Sequence, residues 1–222
     1  MIELSLIPQK VPAMQFLNHR LSAAMWSRVL LLWLTLCIGA LVLGGVALWL
    51  GGFVAGNIRE ELTSQQISFS PEENLSDEER QIPGIVENAG QTLANGNQAR
   101  VYADLIGLHM RESAANAGYP DATYATLGPI QRQLRATLAT ARESGDEAAI
   151  EEAEEQLTAV TNLRNTLLTG NNLRGNLFSA YGWENVSAGI NAMGVLVLVL
   201  AVVFLLLFIF ELRRGHLPPT QP

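Results

Sequence analysis

The sequence predicts an all-α membrane protein in which two transmembrane helices bracket a helical extracytoplasmic domain. Three observations predict it: two uncharged apolar runs at 29–56 and 185–210, an acidic stretch of 128 residues between them, and helical apolar spacing along that stretch. About 20 residues at 1.5 Å each cross the hydrocarbon core. Only a helix or a closed barrel satisfies its backbone hydrogen bonds there.

Charge sets the expected orientation. The segments outside the runs, 1–28 and 211–222, carry Lys10, Arg20, Arg28, Arg213 and Arg214 against Glu3 and Glu211, whereas 57–184 holds 9 Arg, no Lys and 19 acidic residues. Lysine and arginine near a span favour the cytoplasmic side, and a long translocated domain is largely exempt from that rule. Both termini are therefore expected in the cytoplasm and 57–184 outside it. The two end segments are too short to bury cores of their own.

The first run competes with a cleaved secretory signal, whose apolar core is roughly 7–15 residues closed by a small-residue site. At 28 residues, with no such site before Asn57, it reads as a retained anchor. Trp26, Trp33, Trp49, Tyr181 and Trp183 fall near the expected interfaces, where amphipathic rings prefer to sit. Cys37, the only cysteine, excludes an intrachain disulfide or a cysteine-held cluster and reads as a small hydrophobe inside the membrane.

The elements follow in order. Leu17, Leu21 and Met25 have helical spacing over 13–28, with His19, Arg20 and Arg28 adding positive charge; this reads either as a short interfacial helix or as the start of the first span. Pro8 and Pro12 exclude a helix interior before it. Beyond the first run the helix can continue over 59–66, and 67–71 turns extended because proline biases its predecessor away from αR. An acidic surface linker, 72–80, comes next. From the Asn95-Gly96-Asn97 turn a helix presents Val101, Tyr102, Leu105, Ile106, Leu108, His109 and Met110, and stops at Gly118 and Pro120. Another starts at Pro129, with Ile130, Leu134, Leu138 and Ala141 on one side, and ends at Ser144-Gly145-Asp146. Its antiparallel neighbour carries Ile150, Leu157, Val160, Leu163 and Leu167, has Glu147, Glu151, Glu152 and Glu154 where the helix dipole favours anions, and is expected to end at Gly170. Asn171 or Asn172 then caps a short helix through Tyr181 that feeds the second run, and no sheet is expected.

Three stretches, 61–71 (ELTSQQISFSP), 98–110 (QARVYADLIGLHM) and 172–183 (NLRGNLFSAYGW), together resemble a group of uncharacterised bacterial membrane proteins, mostly actinobacterial, with the same two-span layout. The resemblance covers most of the chain between the runs and is weakest over 129–169. It implies the topology and carries no activity, substrate or catalytic residue.

Asp104, His109 and Glu112 lie on one predicted helix, but the Glu-x-x-His order of carboxylate-bridged metal bundles is reversed and occurs once. A partly buried histidine bonded to a neighbour is the expected reading of His109. The glutamates after Asp146 lack the glycine-punctuated spacing of a calcium loop and read as a solvated helix face. Asn74-Leu75-Ser76 and Asn185-Val186-Ser187 fit the glycosylation triplet, a pattern short enough to arise by chance. Phosphate-loop, dinucleotide, esterase and zinc-protease motifs are absent. Neither run carries a charge or histidine of the kind that ion pathways need or that holds a pigment. No catalytic residue, cofactor or metal is expected, nor a small-molecule ligand, and the acidic domain argues against nucleic acid.

The stronger signal lies within the first run, where Ala40, Gly44, Ala47, Gly51 and Ala55 form one small-residue stripe, widened by Gly45 and by the Gly52 and Gly56 pair. Small residues let helix backbones approach closely in lipid. The second run offers small residues only near its start, at Ala188, Gly189, Ala192 and Gly194, so part of the stripe is expected to pack on another integral membrane subunit or a second copy. Further contacts are expected from Tyr102, Ile106, His109, Leu173, Phe178, Tyr181 and Trp183. The function expected is that of a non-catalytic accessory or scaffolding subunit. The rival is a ligand-sensing extracytoplasmic domain that signals through a membrane partner, since the 12 residues after the second run have no room for an output module. An extracytoplasmic enzyme is the third class, and no nucleophile, base and orienter can be paired for it.

Overall fold

The computed structural model describes residues 23–214, and among these every regular element is helical. The helices are α1 (Ala23–Ser64), α2 (Gly96–Asn116), α3 (Leu127–Ser144) and α4 (Glu147–Arg214), with single 3-10 turns at Glu72–Asn74 and Glu79–Gln81. Two of them contain stretches long and apolar enough to cross a membrane, Met25–Ser64 and Glu147–Arg214. Residues 13–22 of the expected interfacial helix, and the tail from 215, lie outside the described residues; Met25 and Arg28 belong to α1.

The chain divides into two compact units, one containing 23–46 and 194–214, the other Ala47–Met193. In the first, α1 and α4 run antiparallel: Trp26 Nε1 donates to the Glu211 carbonyl at 3.3 Å, Trp33 stacks on Phe204 at 5.9 Å, and Gly44 abuts Leu198 and the Gly194 carbonyl. Cys37, Ala40 and Ala201 are buried between the two helices, and the large apolar side chains around them, Leu31, Leu43, Leu206 and Phe210 among others, are exposed.

The second unit has two apolar clusters. One joins Leu62 of α1, Val101 and Leu105 of α2 and Leu177 of α4 to Phe69, Leu75, Ile85 and Leu93 of the connecting segment 65–95. Only 72–80 of that segment is expected as a surface linker, and there Glu72, Glu73, Asp77, Glu78 and Arg80 are exposed. Phe69, Leu75, Ile85 and Leu93 are buried, Ile85 and Leu93 among the most deeply in the unit. Full burial of one such side chain contributes about 1.5–3 kcal/mol, so the segment closes the core. Its backbone is held by Phe69 N–H to Gln91 O at 2.9 Å and Leu93 N–H to Ile67 O at 2.8 Å, around one isolated antiparallel bridge from Ser68 to Thr92. The extended conformation expected over 67–71 is thereby paired, without a strand forming.

The other cluster packs Ala114 of α2 and Leu127 of α3 on Val160, Leu163 and Leu167 of α4. The α3–α4 connection is as short as expected: Gly145 takes the left-handed conformation (φ 70°), and Asp146 Oδ1 accepts the N–H groups of Ala148 and Ala149. Arg142 pairs with Glu154 at 2.7 Å and Gln131 with Thr161 at 2.8 Å, as antiparallel neighbours require.

The structure corrects one boundary. Gly170 does not end a helix; α4 runs unbroken for 68 residues, and neither Asn171 nor Asn172 caps a new one. Glycine in a helix interior costs roughly 0.5–1 kcal/mol relative to alanine, which by itself reads as a stop. Here the missing side chain admits Met110 of α2, whose Sδ would lie 2.5 Å from a Cβ at position 170. Close packing of α2 on α4, not chain reversal, accounts for this glycine.

Candidate functional site

The side chains singled out in the sequence divide into those the chain uses internally and those it leaves facing outward. On α1, Gly44 and Gly51 are buried against α4. A Cβ at Gly44 would meet Leu198 at 2.7 Å and the Gly194 carbonyl at 3.1 Å; one at Gly51 would collide with the Asn191 carboxamide. Ser187 Oγ donates to the Gly51 carbonyl at 2.7 Å, and Ser187 is itself buried. A hydroxyl and a carboxamide thus meet backbone near the start of the second run, beside the small residues Ala188, Gly189 and Ala192. This inner part of the stripe, expected to be available to another polypeptide, is occupied by the chain's own α4. Ala40 is buried with it, and Ala47 and Ala55 are half-buried. Gly45, Gly52 and Gly56 have open space where a Cβ would stand, and the exposed, mutually stacked rings of Trp49 and Phe53 lie on the same helix.

A similar division holds in the second unit. Tyr102, Ile106 and Leu173, expected as partner contacts, pack against the unit's own core, Tyr102 edge-on to Phe69 at 5.4 Å. Tyr102 and Ile106 of α2 and Leu173 of α4 meet a core to which the connecting segment contributes. Tyr181 is half-buried, with the Arg100 guanidinium 5.9 Å from its ring. Phe178 and Trp183 remain exposed.

Beside Trp183 a groove of about 380 Å³ runs between α1 and α4. Leu62 and Leu177, both buried, close its floor; Ile58, Leu173 and Ala180 form half-buried walls; Asn57, Glu61, Gln65, Asn176 and Ser179 supply the polar lining. The start of α2 is fastened to α4 nearby. Asn95 Oδ1 accepts Gln98 N–H at 2.9 Å and Gln98 Oε1 accepts Ala94 N–H at 2.8 Å, a variant of the capping box. The Glu184 carboxylate accepts the Gly96 N–H, where the α2 dipole favours an anion. A Cβ on Gly96 would stand 2.9 Å from the Tyr181 Cα, so glycine is required for this approach.

His109 is exposed, not partly buried as expected, and bonds Glu79 Oε1 at 2.7 Å. Asp104 pairs with Arg100 at 3.7 Å, so the Asp104, His109 and Glu112 constellation is not assembled. No three His, Cys, Asp or Glu side chains gather into a metal-sized group among the described residues. Glu79 and Ser76 form a reciprocal capping box: Glu79 Oε2 accepts Ser76 N–H at 2.9 Å and Ser76 Oγ accepts Glu79 N–H at 3.1 Å. The bond from the Ser76 backbone, with smaller help from His109, holds the Glu79 carboxyl below its ordinary range against the opposing effect of desolvation. Sequence reasoning missed this pair, although the Ser-x-x-Glu spacing of 76–79 was there to be read.

No protein-family model, curated protein or solved structure matches this chain.

Two outcomes follow from the geometry. Gly44→Leu and Gly51→Leu each lower the stability of the full chain in detergent by about 1–3 kcal/mol, the usual cost of overpacking, while Gly45→Leu and Gly52→Leu leave the melting temperature essentially unchanged. Because the folded-state pKa of Glu79 is depressed, its contribution is complete above pH 4.5 and is lost as pH falls through the folded value. Glu79→Gln is therefore less stable than the wild type at neutral pH, and denaturant titrations at successively lower pH show the gap closing below 4.5.

Proposed function

We propose that the protein threads a bacterial cell membrane twice, with both termini cytoplasmic and 57–184 outside, and acts as a non-catalytic accessory or scaffolding subunit of a membrane assembly. The topology is supported by the exposed apolar side chains of both runs and by the opposite charge balance of the end segments and the middle. The resemblance to the two-span bacterial family points the same way.

The scaffolding reading rests on one observation: α1 has two glycine faces, and α4 fills only one of them. Gly44 and Gly51 are taken up within the chain, whereas Gly45, Gly52 and Gly56 are open. In lipid, where helices join by close packing and not by exclusion of water, an open small-residue face suits a helix of another subunit or of a second copy. Trp49 and Phe53 offer large flat surfaces for the same contact.

Two measurements test the proposal. With Cys37 replaced by alanine, a single cysteine at Glu151→Cys reacts with a membrane-impermeant maleimide in intact cells; protection there, with labelling only after lysis, sinks the topology. Gly52→Leu and Gly56→Leu reduce co-purification of membrane partners in mild detergent by about tenfold, equivalent to roughly 1.4 kcal/mol of lost association, without lowering the melting temperature. Unchanged co-purification removes this face as the contact.

A further inference from the structure

The groove between α1 and α4 is apolar, open and unfilled by the described residues, and its place in the sequence says what can fill it. Its lining begins at Asn57, one residue after the first run ends, and reaches Trp183, two residues before the second begins. On the two-span reading, on which this inference rests, the groove therefore opens at the outer headgroup level, continuous with the lipid-facing surface of both helices. We propose that it seats an acyl chain of an outer-leaflet phospholipid, turned up out of the bilayer.

Four features favour that occupant. The volume, about 380 Å³, is of the size that holds a small ligand, roughly 300–1,000 Å³. Floor and walls are hydrocarbon, so each methylene moved into them gains the usual transfer free energy without asking for a hydrogen bond. The polar lining contains the Glu61 carboxylate and the carboxamides of Asn57, Gln65 and Asn176 but no cation. Such a rim gives a free fatty-acid carboxylate no cation to pair with and sets the Glu61 carboxylate against it, and it accommodates the ester and choline or hydroxyl groups of an intact lipid. Trp183, exposed at the membrane end of the groove, has the amphipathic ring that prefers the same depth.

The experiment reconstitutes the full chain in phosphatidylcholine vesicles containing a phosphatidylcholine with a diazirine at the methyl end of one acyl chain. In an ordinary bilayer that end lies at the mid-plane and labels the middle of the two runs. A chain seated in the groove carries it upward, so irradiation followed by peptide mass spectrometry also labels 57–65 and 173–183. Ala180→Trp fills the groove, and Asn176→Trp, at an exposed rim position, obstructs it with little risk to folding. Displacing even two methylenes lowers occupancy by about tenfold, so both variants lose groove labelling to that extent and keep mid-run labelling. Label confined to the runs overturns this inference and leaves the membrane reading intact, as does groove labelling that survives both variants. Label absent from the runs as well overturns both.

Discussion

The second unit depends on how closely α1 and α4 approach at Gly51. With no side chain there, the Ser187 hydroxyl reaches the Gly51 carbonyl and the Asn191 carboxamide lies flat against the backbone. That contact sets the register in which the two helices leave the apolar runs. Leu62 and Leu177 then meet in one core, and Glu184 is placed where it can hold the first turn of α2. On the two-span reading an apolar side chain here gains nothing by leaving lipid for another helix, so a tight glycine contact and a satisfied hydroxyl are the interactions that hold the helices together.

Near the groove, the start of α2 is fastened to α4 through Gly96 and Glu184. The connecting segment covers the core on the α2 side through Phe69, Ile85 and Leu93. Among the described residues, none covers the α1–α4 cleft next to Trp183. On the proposed two-span reading, lipid at the membrane boundary supplies that cover.

Much of the helical frame was legible. The Asn95 cap, the Gly145 turn with Asp146 after it, and the length of the two apolar runs each follow from local chemistry that depends on a few adjacent residues. The roles of the glycines and of the expected contact residues were less so. Gly44, Gly45, Gly51 and Gly52 are the same residue type in one helix, yet two are buried and two are open. Tyr102, Ile106 and Leu173 look like a docking face until the residues that cover them are known.

The sequence by itself determined the helix class, the two bilayer-length apolar helices and the acidic middle, because hydropathy, capping and charge act over short distances. Tertiary structure alone decided that α4 is continuous through Gly170, that the 65–95 segment supplies core, and that α4 claims one glycine face of α1 and leaves the other. The physical reason is common to all three. A glycine or a leucine has a fixed local preference, but whether it is a stop, a floor or a contact depends on the atom facing it, here Met110, Leu177 or Asn191, and that neighbour comes from far along the chain.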